Sequence, residues 1–168
     1  KDEVIIVTSQ GQSIRFSEKD VREMGRAAAG VRGVRLKGAD KIVGMGVISD
    51  DMKKVQVLVI MENGYGKRTP LSQYRLQTRS GSGIKTAKIT SKTGKIVFAT
   101  VIEESNEQDL IIISKQGQVI RFSIDTVNTL GRDTQGVRLM RFKDASDIVA
   151  STTLLDAAAE EEEEKPAK

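Results

Sequence analysis

Arginine and lysine recur in this sequence at one fixed interval. Arg15, Arg68 and Arg121 stand 53 residues apart, and so do Arg26, Arg79 and Arg132. Arg32, Lys85 and Arg138 keep the same spacing, as do Arg35, Lys88 and Arg141, while Lys67 adds a base beside Arg68. Guanidinium and ammonium groups presented once per repeat can hold a row of phosphates by charge-assisted hydrogen bonds. They are a poor kit for catalysis. The chain has no histidine and no cysteine. It therefore lacks the commonest general base and metal ligand, the thiolate nucleophile, and any disulfide. Arg79–Thr86 reads RSGSGIKT, which faintly suggests a phosphate loop, but Ile84 separates Gly83 from Lys85 and the G-x-x-x-x-G-K-[ST] pattern fails. Tyr65 and Tyr74 match no nucleophile motif. The expectation is that this chain is not an enzyme by itself and uses no cofactor or metal.

The charge is unevenly spread. The net charge is +4, but Asp156–Lys168 holds six acids and two bases, which leaves 25 bases and 17 acids in residues 1–155. A basic body implies a polyanion partner, and an acidic tail, expected to be disordered, could compete with it. No apolar run approaches the roughly 18–20 residues needed to cross a bilayer, and no signal peptide is visible. The expectation is a cytoplasmic protein with no membrane partner. The first residue is Lys1 rather than Met, so the chain is expected to be a piece of something longer.

The elements that must position these bases repeat with them. Apolar runs Val4–Val7, Val57–Met61 and Leu110–Ile113 each precede a turn ending in Gly11, Gly64 or Gly117. Glycine there supplies the positive φ of a tight hairpin. The next segment alternates, with Ile14 and Phe16, or Ile120 and Phe122, flanking an arginine expected to point outward. A polar connection follows, with Val21 and Met24 spaced for a short helical turn. Gly30, Gly83 or Gly136 then opens a third strand, and Ile42-Val43, Ile96-Val97 or Ile148-Val149 marks a fourth. Those glycines imply either a bulge or a close approach of backbone or phosphate. Four short strands in each unit of about 53 residues predict an all-β, propeller-like architecture with blades at about 1–54, 55–107 and 108–155, and a tail at 156–168. Closed propellers use about four to eight blades, so three form an incomplete ring or an open arc. Bases repeated on one rim would form a continuous band, although the same charges could simply solubilise edges. In an ideal strand Arg32 and Arg35 point to opposite faces unless a bulge intervenes.

Longer stretches carry a resemblance. Gly64–Ile89, Gly131–Phe142 and Met24–Leu36 closely resemble the C-terminal DNA-wrapping domain of bacterial DNA gyrase A, with the corresponding domain of topoisomerase IV as near relative. The resemblance covers about Val4–Leu155. It implies a β-pinwheel of which these units are the C-terminal half, and a non-catalytic module of a type IIA topoisomerase. Such a module wraps duplex DNA around its rim in support of negative supercoiling. It also implies association with the remainder of gyrase A and with gyrase B in a heterotetramer, near the bacterial nucleoid. Gln77–Gly83 resembles a degenerate Gln-Arg-Arg-Gly-Gly-x-Gly box, with Thr78 and Ser80 departing from it, which makes Arg79, Gly81 and Gly83 the leading cluster.

Two further readings bear on function. The chain has four Phe, two Tyr and no Trp, which argues against base stacking on single strands. A propeller-like module for protein–protein contacts is the alternative, and it requires an exposed apolar patch.

Overall fold

The computed structural model describes residues 1–104 and 107–156, so the acidic run Glu160–Glu164 lies outside the described residues. The chain is all-β, with eleven strands in three sheets among the described residues. Unit one contributes β1 (Glu3–Thr8), β2 (Gln12–Ser17) and β3 (Ile42–Ile48). Unit two contributes β4 (Val55–Met61), β5 (Tyr65–Pro70), β6 (Ile84–Lys85) and β7 (Ile96–Glu103). Unit three contributes β8 (Gln108–Ser114), β9 (Val119–Ser123), β10 (Val137–Arg138) and β11 (Val149–Asp156). Asp156 ends β11 opposite Gln108 and accepts its side-chain amide at 2.7 Å.

Each unit is not self-contained. The sheets read β3-β1-β2-β6, β10-β5-β4-β7 and β11-β8-β9. The third strand of unit two pairs with β2 of unit one, through Gln12 with Lys85 and Ser13 with Ile84. The third strand of unit three pairs with β5 of unit two, through Gly66 with Val137 and Tyr65 with Arg138. Each of these third strands is thus given to the preceding blade. The third sheet has three strands, and the segment after Gly30 forms no strand. Periodicity predicts four strands per unit, which units two and three have and unit one does not, and it carries no information on which sheet the third one joins.

The hairpins form as expected. Gly11, Gly64 and Gly117 have φ of 82°, 77° and 84°, a region closed to most L-residues. The expected helical turn over Val21 and Met24 is absent. A single 3₁₀ turn stands earlier instead, at Glu18–Asp20, Leu71–Gln73 and Ile124–Thr126. Ser17 and Ser123 cap two of these turns by accepting the amides of Lys19 and Asp125.

Blades pack face to face, and strand alternation decides which side chain goes where. Ile5 and Val7 meet Val57, Val59 and Met61 between the first two sheets. Leu58 and Ile60 meet Leu110 and Ile112 between the second and third. A first strand covered on both faces reads as a nearly continuous apolar run, as Val57–Met61 does in β4, whose seven residues, Gln56 included, are all buried.

Candidate nucleic-acid interface

The three arginines of the second strands do not face solvent together. Arg15 and Arg68 point across the seam to the next unit. Arg15 donates through Nη1 to the carbonyls of Tyr74 at 2.7 Å and Leu71 at 3.3 Å, and pairs with Glu3. Arg68 donates from Nε to Val127 at 2.8 Å and from Nη2 to the Asp125 carbonyl at 3.1 Å. Tyr74 and Val127 are equivalent positions, so the same latch is built twice. Arg121, the third of the set, lies on β9 and donates to Asp109 at 2.7 Å. Where Glu3 and Asp109 pair with these arginines, unit two has Gln56, and Arg68 uses Asp125 instead. The expectation of an outward-pointing arginine therefore fails for Arg15, and Arg68, its equivalent in unit two, points inward as well. The face of a strand that looks outward in an isolated blade is the face covered by the next one.

Lys67 is fully buried. Its ammonium donates to the carbonyls of Gly131 at 2.6 Å and Arg132 at 2.5 Å, and to Thr134 Oγ1 at 2.9 Å. Ile14 and Ile120 fill the same position in the other units. Burial, with Arg132 nearby, pulls its pKa from 10.5 down to about 8, against the opposing charge of Asp133. The native chain then binds fewer protons than the unfolded chain between about 8 and 10.5, so this group's stability contribution rises with pH across that window and is flat below it. The difference in denaturant stability between the parent and Lys67→Met should accordingly shift toward the parent from about pH 7.5 to about pH 9.5; a pH-independent difference would remove Lys67 from this role.

The remaining bases lie along the connections and on the two short third strands, where Lys85 ends β6 and Arg138 ends β10. Arg26, Arg32, Arg35, Lys85, Lys88, Arg138 and Arg141 are exposed, and Arg79 and Arg132 are half-buried. A ladder of hydrogen bonds links each third-strand segment to the connection of the following unit. The Arg79 guanidinium donates to the Arg32 carbonyl and to the Asp20 carbonyl, while Ser80 N donates to Gly33 and Arg35 N to Gly81. One unit on, Arg132 donates to the Lys85 carbonyl at 2.6 Å, and Lys88 N donates to Thr134. Arg32 beside Arg79, and Lys85 beside Arg132, are the same station at successive seams. Arg26 has no preceding unit within this chain to reach.

Strand alternation would send Lys85 and Lys88 to opposite faces, yet both are exposed. The strand β6 ends at Lys85, after which Thr86 N and Ala87 N both turn to the Gly11 carbonyl and those two side chains are buried. The pattern breaks after two paired residues, and the two bases emerge on either side of a buried pair.

Gly83 and Gly136 are held by close backbone approach. Both have φ of 77°, and a Cβ would stand 2.4 Å from Ser13 O and 2.6 Å from Gly66 O respectively. Gly81 is the acceptor for Arg35, so the Gln77–Gly83 cluster is a seam element whose Arg79 and Ser80 both bond the Arg32 carbonyl.

Tyr65 and Lys92 escape sequence reasoning based on the repeat. Arg138 donates to Tyr65 Oη from Nη2 at 2.8 Å and Nε at 3.2 Å. Its guanidinium lies 5.3 Å from the ring centre, and the Lys92 ammonium lies 5.5 Å away. Burial raises the phenol pKa, but Arg138 and Lys92 outweigh it and the net shift is downward. The signal was a departure from register, since Tyr65 stands where Gln12 and Gln118 stand. Tyr65, Lys92, Arg138, Arg141 and Lys143 line part of a cavity of about 450 Å³. Among the described residues no group of three Asp or Glu could hold a metal ion, and no helix is long and apolar enough to cross a membrane.

Comparison with known proteins agrees with this geometry. The family described as DNA gyrase C-terminal domain, beta-propeller, matches residues 2–49, 56–103 and 108–154, one segment per unit. The A subunit of DNA gyrase from Staphylococcus epidermidis is 46% identical over 143 residues, which are 85% of this chain and 16% of the relative. Its counterpart from Staphylococcus aureus is 43% identical over 144 residues, which are 86% of this chain and again 16% of the relative. The chain thus spans about a sixth of the length of these relatives. A solved C-terminal domain of DNA gyrase A superposes with a TM-score of 0.76 at 28% identity, covering 90% of this chain and 50% of that one. The C-terminal domain of DNA topoisomerase IV shares the fold, with a TM-score of 0.81 at 21% identity over 98% of this chain and 52% of that one. With a family segment on every blade and the strand exchange between blades in place, this chain belongs to the DNA gyrase C-terminal domain, beta-propeller family.

Proposed function

We propose that this chain is a non-catalytic module that binds duplex DNA along its blade seams and bends it, as part of a type IIA topoisomerase. The observation that carries the reading is the repeated station in which Arg79 sits on the Arg32 carbonyl and Arg132 on the Lys85 carbonyl. Rigid backbone hydrogen bonds fix the interval between cationic groups, and fixed cations on a curved body favour a bent polyanion over a straight one. Arg15, Lys67 and Arg68 belong to this function indirectly, because they hold the connections that carry Arg79, Arg132 and their neighbours. In the assembled enzyme the module would present its bound segment for strand passage and support supercoiling, with the rest of gyrase A and gyrase B as partners.

The test is the salt dependence of duplex binding. Contacts to ~6–10 phosphates predict a loss of about 10³–10⁵ in affinity between about 50 and 200 mM salt. Replacing the exposed bases Arg32, Arg35, Lys85 and Lys88 with glutamine should flatten the log–log slope by about 0.9 for each phosphate no longer neutralised. Stability should change little, since these are surface positions. Binding that ignores salt, or a slope unmoved by the quadruple substitution, would overturn the reading.

A further inference from the structure

We infer that the cavity beside Tyr65 is a phosphate site, in which the Tyr65 hydroxyl donates to a phosphate oxygen while Lys92, Arg138 and Arg141 supply the countercharge. The cavity lies at an internal seam, where β5 of unit two pairs with β10 of unit three. Its volume of about 450 Å³ admits a phosphate together with part of whatever bears it. The phenol carries the argument. Tyr65 is 6% exposed and lines the cavity. Its oxygen accepts from Arg138 Nη2 at 2.8 Å and Nε at 3.2 Å. A phenol is a donor as well as an acceptor, yet among the described residues the Tyr65 proton meets no acceptor. The other tyrosine is satisfied, with Tyr74 Oη 2.6 Å from Thr86 Oγ1.

The surrounding charges select an anionic acceptor. Among the described residues no carboxylate pairs with Lys92, Arg138, Arg141 or Lys143. Asp147, the one acid on the cavity wall, has Oδ1 committed to Gln116 N at 3.1 Å and Ile148 N at 2.9 Å. Four bases against one acid thus share a concave space, which focuses their field on an anion. Two of them are held in place. Asn63 Nδ2 donates to the carbonyls of Ser91 at 3.2 Å and Lys92 at 3.1 Å, which fixes the turn that brings the Lys92 ammonium to the ring. Arg138 is fixed by strand pairing and by its two bonds to the phenol, which leave Nη1 without a partner among the described residues. Charge-assisted bonds from such preset donors are the strong ones.

The repeat does not require this arrangement. At the first seam the same register sets Gln12 opposite Lys85, with no aromatic ring. A row of bases holds a polyanion without a phenol. The phenol at one seam alone marks a discrete site. Its phosphate has two sources, the backbone of a bound duplex and a free phosphate compound. Only the first of these rests on the reading of the chain as a DNA-binding module.

Calorimetry on the whole chain at fixed ionic strength tests both, with inorganic pyrophosphate for the free compound and a short duplex for the backbone. The ligand that occupies the site should bind roughly 10–100-fold more weakly to Tyr65→Phe, which keeps the ring, the range for one hydrogen bond to a charged group. Lys92→Gln, at an exposed position, should weaken it as well, and circular dichroism should show both variants folded. Ultraviolet absorbance of the phenolate adds a readout that folding alone does not move. Burial raises the Tyr65 pKa, but Arg138 and Lys92 turn the net shift downward, whereas burial lifts that of Tyr74, so Tyr65 ionises first. A bound phosphate holds the phenol proton and opposes the phenolate, so this first step should move to higher pH when the ligand is added. Weakened pyrophosphate binding with unchanged duplex affinity assigns the site to a free compound, and weakened duplex binding assigns it to the backbone; either upholds the site. Binding of neither ligand, variants that bind both as tightly as the parent does, or a phenolate step that neither ligand moves would overturn the proposal. Steep salt dependence of duplex binding would survive the last two of these results, so failure of the site is distinct from failure of the wider reading.

Discussion

Arg68→Ala is expected to cost about 3–5 kcal/mol of unfolding free energy, the range for breaking a buried ionic group's hydrogen bonds and leaving its partners unpaired. The side chain is 10% exposed and serves the seam between the second and third units. Its loss strands the Val127 carbonyl, bonded at 2.8 Å, and the Asp125 carbonyl at 3.1 Å. The backbone at this residue is engaged as well, with Arg68 N donating to Asn128 and Leu130 N to Arg68 O. The side chain is therefore anchored where it stands and cannot be replaced by a neighbour. A domain of this size has ~5–15 kcal/mol in total, so the third unit should detach in a separate, earlier transition. Arg68→Lys should recover part of the loss, because it keeps the charge and a donor but lacks the planar fork of Nε and Nη2 that serves the Val127 and Asp125 carbonyls. Urea unfolding read at both units checks this, with Arg35→Ala as a surface control expected within about ±0.5 kcal/mol. An unchanged midpoint for Arg68→Ala, together with weakened DNA binding, would return Arg68 to the phosphate-binding set.

That contrast locates what the sequence could reveal. The repeat of 53 residues, the hairpin glycines, the all-β class and the incomplete ring were legible, because each follows from local spacing. The resemblance to the gyrase family was legible from Gly64–Ile89 and Gly131–Phe142. The direction of each arginine was not. A base that alternates with Ile14 and Phe16 looks solvent-facing in one blade, and only the neighbouring blade turns that face into an interior. Lys67 was hidden in the same way, since nothing local shows that Gly131, Arg132 and Thr134 close over it. The third strands of units two and three were placed in sequence but not in space, and the one expected after Gly30 does not form. A two-residue strand such as β6 pairs across 71 positions, Ser13 to Ile84, and only tertiary structure states that pairing. The basic stations survive this correction because each is fixed by a hydrogen bond across a seam, Arg79 to the Arg32 carbonyl and Arg132 to the Lys85 carbonyl.

The exchanged strand supplies the other large effect. Gly83→Ala should destabilise the chain by roughly 2–4 kcal/mol, combining the left-handed backbone penalty for an L-residue with overpacking against rigid atoms. The new Cβ would stand 2.4 Å from Ser13 O and 2.9 Å from Ser13 C, and backbone cannot yield as a side-chain tip can. To relieve the contact β6 must lift from β2, which breaks the pairing of Ile84 and Lys85 and loosens Thr86 and Ala87 beyond it. Lys85 and Lys88 move with them, so DNA affinity should fall along with stability. Gly136→Ala should behave alike, with Gly66 O at 2.6 Å. Gly30→Ala isolates the backbone term, because its φ is 80° and its Cβ meets nothing within 4 Å, and it should cost only ~1 kcal/mol. Thermal unfolding of the three variants, with hydrogen exchange at Ile84 and Lys85, measures the ranking. Equal costs at all three glycines would mean that the close approach of the exchanged strand contributes nothing, and that the conformation of the glycine alone sets the penalty.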